Sequence, residues 1–359
     1  MIGFKSTDKN KSDRVVHRCW YWGSWMLEKH EVRNKIAGAV LLGIFAIGSL
    51  LSGCAAKVAP QPEYVGPGAY EVVDYEGTVV RIPGKPKRVL TLSLTFDVIA
   101  LGLTPPKTLA AVNLMAADPG LSCIADEVQE ITPKLLSYPL ETVAALKPDL
   151  IIAATWTDQA TVQCFRGLGI PVFVCKGPET VGQVRETILL MGEVLREEQA
   201  ARNVLAIMDA ELAETEKVVA RQTGRKPVGM LVSQMTSYGG KGSMFDELCT
   251  KAGIVNGIAA MGLKNGELVT KETVIASNPD FFLISADRKY STEQGKKMQQ
   301  EYLNDPALQH LPGIRNIKAL PDRHLYSANQ NCVYAIRTLA NAAYGELFDP
   351  TGEKLIKGY

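Results

Sequence analysis

The sequence predicts an α/β protein of two similar Rossmann-like lobes with mainly parallel sheets, joined by one long α-helix. Three observations predict this fold. Short apolar strands alternate with helical stretches, a helical period continues for about 25 residues near the middle, and one nine-residue pattern occurs on both sides of it. Such alternation is typical of a parallel sheet covered by helices. The 359 residues provide ample material for two packed lobes.

Composition and charge exclude some classes of function. The chain is 46% hydrophobic and 21% charged, and its formal net charge is +1. No basic stripe or RNA-binding motif accompanies this near-neutral balance. We therefore expect a globular protein that does not bind nucleic acid.

A basic segment followed by an apolar one has the layout of a secretory signal. Lys29, Arg33 and Lys35 precede an apolar run over 36–51, shorter than the roughly 20 residues needed to span a bilayer. Leu51-Ser52-Gly53-Cys54 follows and resembles the bacterial lipobox, whose cysteine is acylated when the signal is removed in front of it. We expect residues 1–53 to be the signal region and Cys54 to be lipidated. An uncleaved transmembrane anchor is the alternative.

Residues 1–25 fit a signal poorly, because an aromatic cluster that includes Trp20, Trp22 and Trp25 stands ahead of the basic segment. Met26 would place the start directly before Lys29. Residues 1–25 are therefore a candidate for an over-extended start, and we leave them out of the fold prediction.

The segment 54–69 is rich in proline and glycine and lacks hydrophobic periodicity. This composition is typical of a flexible or extended tether. The later cysteines show no metal-ligand spacing such as CxxC, and we expect buried or half-buried thiols. They are Cys123, Cys164, Cys175, Cys249 and Cys332.

The first lobe is predicted over 70–178. Strands over 70–75 and 78–82 around Glu76-Gly77 indicate a hairpin. Gly102 and the following Thr104-Pro105-Pro106 are expected to end a helix that begins at Phe96. The remaining elements are predicted strands at 88–92, 150–154 and 172–174 and a helix at 158–168.

The connection is predicted over 179–224, as helices at 179–195 and 198–222. Apolar side chains recur at spacings of three or four, as at Val184, Ile188 and Met191. A helix of about 25 residues is roughly 37 Å long, which is enough to bridge two lobes.

The second lobe is predicted over 225–359. Apolar runs indicate strands at 228–232 and 281–285, and a third strand is expected at 324–326. Helices are expected at 243–252 and at about 332–348.

An internal repeat relates the two lobes. Glu141-Thr-Val-Ala-Ala-Leu-Lys-Pro-Asp149 matches Glu272-Thr-Val-Ile-Ala-Ser-Asn-Pro-Asp280 at six of nine positions, and an apolar strand follows each copy. Phe96-Asp97 and Phe245-Asp246 also correspond. Each copy is predicted to be a short helix, a Pro-Asp turn and a buried strand, because proline stops the helix and aspartate can close the turn.

Several segments, in this order and spacing, together indicate a family. They are Gly77-Thr78, Ile82-Pro83-Gly84-Lys85-Pro86-Lys87-Arg88-Val89, Leu140-Glu141, Leu146-Lys147-Pro148-Asp149-Leu150-Ile151-Ile152, Gly169-Ile170-Pro171-Val172 and Gly239-Gly240-Lys241-Gly242-Ser243-Met244-Phe245-Asp246-Glu247-Leu248. Over about residues 70–348 the chain resembles the substrate-binding proteins of ABC importers for iron–siderophores, haem and cobalamin, the class with a single interdomain helix. The resemblance implies the class III periplasmic-binding-protein fold.

The resemblance also implies partners and a location. In this family an acidic residue on each lobe docks onto arginines of the permease, and Glu141 and Glu272 occupy the repeat-related positions. The expected partners are an ABC permease with its ATPase, a small metal-chelate ligand, and the bilayer through acylated Cys54. We expect a monomer on the extracytoplasmic face of the cell membrane. A plain solvated surface is the alternative for each glutamate.

The resemblance implies a ligand-binding cleft between the lobes, lined by loops at the strand ends. Aromatic rings there could pack on a catechol, a porphyrin or a corrin, and cationic side chains could balance the charge of a carboxylate or a ferric chelate. The alternative for each residue is ordinary surface. The candidate ligand-binding residues are Phe96, Tyr138, Trp156, Asp158, Tyr238, Lys241, Arg288, Tyr290 and Asn331.

The number of histidines narrows the ligand. Only His310 and His324 follow Cys54, whereas capture of free zinc or manganese calls for a cluster of histidines and carboxylates. We therefore expect no metal site and no cofactor. Among the ligands that the resemblance implies, a ferric-siderophore-type chelate is the expected one, because iron already held by its chelator needs no such cluster. Haem, with Tyr138 or Tyr238 as axial ligand, and cobalamin stay open.

Two other classes of function are alternatives to a binding protein. An anchored enzyme would require a catalytic motif, but the chain has no GxSxG, no HExxH and no His-centred triad. We therefore expect no enzymatic activity. A purely structural or sensory lipoprotein that keeps the fold without transport is the other alternative.

Overall fold

Short apolar runs form the strands at the centre of both lobes, as the sequence predicts. The computed structural model describes residues 68–233, 237–286 and 293–359. The strands are β1 (Tyr70–Val73), β2 (Val79–Ile82), β3 (Val89–Thr91), β4 (Leu109–Asn113), β5 (Lys134–Leu135), β6 (Leu150–Ala154), β7 (Val172–Cys175), β8 (Val228–Val232), β9 (Val255–Asn256), β10 (Phe281–Ser285) and β11 (Ile317–Leu320).

Helices separate most of these strands. They are α1 (Leu94–Leu103), α2 (Leu140–Leu146), α3 (Gln159–Gly167), α4 (Val181–Leu195), α5 (Glu198–Val219), α6 (Met244–Lys251), α7 (Gly257–Ala260), α8 (Lys271–Ser277), α9 (Glu293–Leu303), α10 (Asp322–Leu325) and α11 (Cys332–Tyr344). Within the described ranges, no helix is long and apolar enough to cross a membrane.

The first lobe contains a five-stranded parallel sheet in the order β5-β4-β3-β6-β7, beside the predicted antiparallel hairpin of β1 and β2. Successive side chains of a strand point to opposite faces. Leu90 and Ile151 therefore pack with Phe165 of α3 on one face, whereas Ile152 and Phe173 belong to the core that includes Phe96 of α1. Apolar burial on both faces explains why these strands read as continuous apolar runs.

The second lobe contains a four-stranded parallel sheet in the order β11-β10-β8-β9. The strand predicted at 324–326 is wrong, because the strand lies at β11 and Asp322–Leu325 forms the one-turn helix α10. Pro321 has no N–H to continue the ladder, and the backbone turns so that Tyr326 N donates to Asp322 O at 2.9 Å. Strands β4, β5 and β9 are additions to the prediction.

The connection is a hairpin of α4 and α5. Arg196 ends α4 in the left-handed conformation at φ 55°. The two helices touch at Gly192, where a Cβ would lie 2.6 Å from Ala201 Cβ. Helix α5 has 22 residues, which corresponds to roughly 33 Å. It packs against α1 of the first lobe and α11 of the second, so it bridges the lobes as predicted.

The internal repeat has the predicted geometry in both lobes. Helices α2 and α8 end at left-handed residues, Lys147 (φ 48°) and Asn278 (φ 45°). Asp149 then accepts from Lys87 N and Arg88 N at 2.8 and 2.9 Å. Asp280 likewise accepts from Val228 N at 2.7 Å. Each aspartate therefore ties the start of its own strand to the neighbouring strand.

The cysteines described by the structure are free thiols. Cys175, Cys249 and Cys332 are buried and Cys123 is half-buried, as expected, but Cys164 is exposed on α3. The expectation of burial is wrong for Cys164, because its position on α3 faces away from the apolar stripe of Val162 and Phe165.

Candidate functional site

The carboxyl ends of the two sheets meet around a small pocket between the lobes. Leu94 and Thr95 follow β3 and Cys123 follows β4, while Tyr326 and Ser327 follow β11. In open α/β sheets, ligands bind outside the carboxyl ends of the strands. The pocket is about 40 Å³, room for about three waters, whereas pockets for drug-sized ligands occupy roughly 300–1,000 Å³. A drug-sized ligand does not fit in the pocket at this volume.

A buried carboxyl group organises the first lobe's side of the site. Asp97 on α1 is 0% exposed. It accepts a hydrogen bond from Thr91 Oγ1 of β3, and its Oδ2 accepts from Asn113 N at the end of β4, at 2.8 Å. Burial raises the pKa of Asp97 from 3.8 to about 7, against the lowering by these two donors. The carboxyl group thus holds α1 to the ends of two strands.

Tyr138 lies on the loop directly before α2, as predicted. Its hydroxyl accepts from Asn113 Nδ2 at 3.4 Å. Burial, with the nearby Asp97, raises the pKa of the Tyr138 phenol well above its usual value of 10.0. The phenol is therefore protonated at neutral pH.

Trp156 lies directly after β6 and has its indole largely in solvent, at 61% exposure. One edge rests on Gly177, where a Cβ would lie 2.2 Å from the ring. Phe96 stacks with it, the ring centroids 6.4 Å apart and the planes at 16°. Phe96 is 0% exposed, so it supports Trp156 from the core rather than forming part of the surface itself.

Asp158 is exposed and caps α3. Its Oδ2 accepts from Thr161 N at 3.1 Å and from Thr161 Oγ1 at 3.2 Å. This is the usual arrangement of an N-cap aspartate. Asp158 lies two residues after Trp156, but its carboxylate is held by the helix.

Two tyrosines pack together on the second lobe. The rings of Tyr238 and Tyr326 are 4.9 Å apart, and the Tyr238 hydroxyl donates to Leu325 O at 3.4 Å. Burial, then the neighbouring Tyr326, raises the pKa of Tyr238. Tyr326 lines the interlobe pocket, which places this pair at its second-lobe wall.

Lys241 is exposed. Its backbone N donates to Leu263 O at 2.7 Å, and its backbone O accepts from Asn265 N at 3.0 Å.

Asn331 lines the interlobe pocket but is only 3% exposed. Its amide donates to Lys354 O at 3.0 Å and accepts from Ile356 N at 3.1 Å. Arg288, Tyr290 and Cys54 lie outside the described residues.

A cluster at the same pocket was not predicted from the sequence. Glu353 accepts from Arg323 Nη2 at 3.1 Å and contacts His324 Nε2 at 2.9 Å. Burial opposes ionisation of Glu353, but His324 and Arg323 outweigh it and lower the pKa of that carboxyl. The partners are about thirty positions apart, and no motif or period connects them.

The predicted docking residues occupy equivalent places on the two lobes. Glu141 lies in the first turn of α2 and Glu272 in the first turn of α8, and both are exposed. Apolar side chains are exposed nearby, with Leu140 at 39% and Leu268 at 62%. A backbone hydrogen bond first, and then Thr270, lowers the pKa of Glu272.

Throughout the described part of the chain, no group of three or more His, Cys, Asp or Glu residues is placed to hold a metal ion.

The sequence and the fold of this chain are similar to those of known proteins. The sequence profile described as "Periplasmic binding protein" matches residues 98–320, more than half of the chain. No curated protein sequence matches.

Solved structures share the fold at low identity. The apo periplasmic haem-binding protein RhuT of Roseiflexus sp. RS-1 is 20% identical, with 73% of this chain and 99% of that chain covered and a TM-score of 0.61. A Staphylococcus epidermidis structure described as a possible iron-binding (periplasmic solute-binding) protein is 16% identical, with coverage of 72% and 99% and a TM-score of 0.59. The molybdate-binding MolA of Haemophilus influenzae is 18% identical, with coverage of 78% and 92% and a TM-score of 0.60. The predicted class III fold is confirmed.

Proposed function

Because the chain belongs to the periplasmic binding protein family and is a substrate-binding protein of an ABC importer, we propose that its cargo is a ferric-siderophore-type iron chelate. The chelate binds in the cleft between the lobes and passes to the permease, which works with its ATPase. The protein acts as a monomer on the extracytoplasmic side, where its family places it.

The exposed Trp156 indole carries this proposal. Trp156 is 61% exposed, so its indole contributes little to the core. It lies at the carboxyl end of the central strand β6. Gly177 and Phe96 hold the ring in place, so it needs little ordering when a flat group stacks on it. Aromatic faces attract the planar parts of catecholate or macrocyclic ligands.

Haem is the second candidate, because the Tyr138 phenol lies in the same lobe and the haem-binding RhuT shares the fold. The iron(III) of haem would coordinate the phenolate oxygen of Tyr138. The raised pKa of Tyr138 means that such binding must displace a proton.

A fluorescence titration tests the cargo. Trp20, Trp22 and Trp25 precede the proposed cleavage site, so Trp156 is the only tryptophan in the mature protein. Ferrichrome, ferric enterobactin, ferric citrate, haemin and cyanocobalamin are added in turn. We expect saturable quenching by a ferric chelate. Quenching by haemin alone, with a shifted Soret band that Tyr138→Phe abolishes, would replace the chelate with haem.

A substitution tests the aromatic platform itself. Trp156→Ala should weaken binding of the quenching ligand about tenfold, because it removes the stacking surface. Trp156→Phe should retain most of the affinity, and Leu168→Ala, at an exposed apolar residue elsewhere on the first lobe, should have no effect. Isothermal titration calorimetry measures all three. Unchanged affinity in Trp156→Ala would contradict the platform.

Docking is proposed to use Glu141 and Glu272. Three observations support it: both are exposed, both lie in the first turn of repeat-related helices, and each has an exposed leucine nearby. Paired charges across such a contact mainly set orientation and encounter rate.

The membrane anchor is proposed at Cys54. The support is the basic segment, apolar run and Leu51-Ser52-Gly53-Cys54 sequence, which lead into the Pro/Gly tether. Intact-mass spectrometry of protein extracted from membranes tests this. A mature chain that begins at unmodified Cys54, or an uncleaved chain, would contradict it.

A further inference from the structure

The last seven residues, Glu353–Tyr359, run back from the second lobe and are here called the strap. Its first half is fastened to the second lobe. Asn331 bonds the strap backbone twice, through Lys354 O at 3.0 Å and Ile356 N at 3.1 Å. Glu353 adds its ion pair with Arg323. Leu355 and Ile356 are only 5% and 3% exposed.

The second half of the strap is fastened to the other parts of the molecule. Gly358 N donates to Gly102 O of α1 at 2.9 Å, and Lys357 pairs with Glu127 of the first lobe at 3.4 Å. Asn203 of the connecting helix α5 donates to Gly358 O at 2.7 Å. The strap therefore contacts the first lobe, the second lobe and the connection.

Two glycines permit this close approach. A Cβ on Gly358 would lie 2.0 Å from the backbone oxygen of Ala200 in α5. A Cβ on Gly102 would lie 2.3 Å from Gln330 Nε2 and 3.0 Å from Ile356 O. A side chain at Gly358 would have to push the strap away from α5, because a helical carbonyl group cannot move aside.

The lobes also contact each other directly beside the strap. Gln330 of the second lobe donates to Val98 O of α1 at 2.7 Å. Arg323 N donates to Gly120 O of the first lobe at 3.1 Å. Both Arg323 and Gln330 touch the strap as well, so these contacts and the strap form one connected set.

We propose that the strap is an interlobe tie that sets the resting separation of the two lobes. Widening the pocket moves α1 away from the second lobe, and it must break the Gly358–Gly102 bond or pull the strap from Asn331 and Asn203. The tie is present in the ligand-free protein, so its role does not depend on which cargo the cleft binds.

Hydrogen–deuterium exchange of the ligand-free mature protein tests the tie with Gly358→Ala. This variant disturbs the strap at α5 but leaves Glu353 in place. The decisive amide is that of Arg323, which bonds the first lobe and lies outside the strap. If the strap holds the lobes together, its exchange should become about tenfold faster, because transient opening is more frequent.

Gly352→Ala is the matched control, because a Cβ there meets nothing within 4 Å. Its exchange should equal that of the unmodified protein. Asn203→Ala and Lys357→Gln are milder variants that should accelerate the Arg323 amide in the same direction, even if Gly358→Ala folds poorly. Faster exchange confined to residues 353–359 in all three strap variants would show that the strap is only local packing.

Discussion

At the scale of single residues, the buried Asp97 connects three elements of the first lobe. Its carboxyl group joins α1 to the ends of β3 and β4. A buried carboxyl group is favoured in its neutral form. The same residue therefore links the shape of the site to pH.

The first residue-scale prediction concerns pH and stability. Burial raises the pKa of Asp97 to about 7 in the folded protein, whereas its ordinary value, taken for the unfolded chain, is 3.8. Between these two pH values the folded state therefore keeps a proton that the unfolded state has lost. Its stabilising contribution is complete below about pH 4 and is lost as pH rises through about 7. A difference of about three pKa units corresponds to ~4 kcal/mol.

Urea unfolding between pH 5 and pH 8 measures this effect. Asp97→Asn should flatten the fall in the free energy of unfolding relative to the unmodified chain. Thr91→Val removes a donor that lowers the pKa of Asp97, so it should move the fall to higher pH. Equal slopes for the unmodified chain and Asp97→Asn would show that another group controls the pH dependence.

At the scale of elements, the repeat helices depend on how they end. Lys147 terminates α2 in the left-handed conformation at φ 48° and ψ 54°, which side-chain-bearing residues adopt at a cost. Asp149 then closes the turn into β6. Chain reversal by a left-handed residue and a Pro-Asp pair sets the direction of the strand in both lobes.

Lys147→Gly should stabilise the protein by about 1 kcal/mol, because glycine adopts the left-handed conformation without steric cost. Ala144→Gly, three residues earlier and also exposed, should destabilise it by about 1 kcal/mol, because the same residue is unfavourable inside a helix. Denaturant midpoints measure both. Changes of the same sign would contradict the assignment of this turn.

At the scale of the whole molecule, the proposed docking residues act as a pair, one on each lobe. Charge reversal by Glu141→Lys with Glu272→Lys should abolish uptake and leave the affinity for the ligand unchanged, because both residues lie on surface helices outside the interlobe pocket. Glu130→Lys, at an exposed glutamate elsewhere on the first lobe, is the control. Uptake by transformed cells and calorimetry provide the two measurements. A loss of affinity would assign these residues to the pocket.

Local sequence predicted much of the framework. Strands β6, β8 and β10 lie at the predicted residues, because each is an apolar run bounded by a polar turn or a proline. The Glu-Thr-Val…Pro-Asp repeat indicated two related lobes for the same reason. The prediction of a strand at 324–326 was wrong, because Asp322–Leu325 forms a one-turn helix that packs against α11 rather than joining a sheet.

Tertiary structure decided which residues of the candidate site meet. It placed Phe96 beneath Trp156, joined Asp97 to Asn113, and brought Glu353 onto Arg323 and His324. It also brought Gln330 onto Val98, 232 positions away in the chain. Periodicity and turn signals act over a few residues, so they determine the order and type of the elements. Contacts between distant segments depend on how the packed lobes and the strap fit together, and no local pattern encodes that fit.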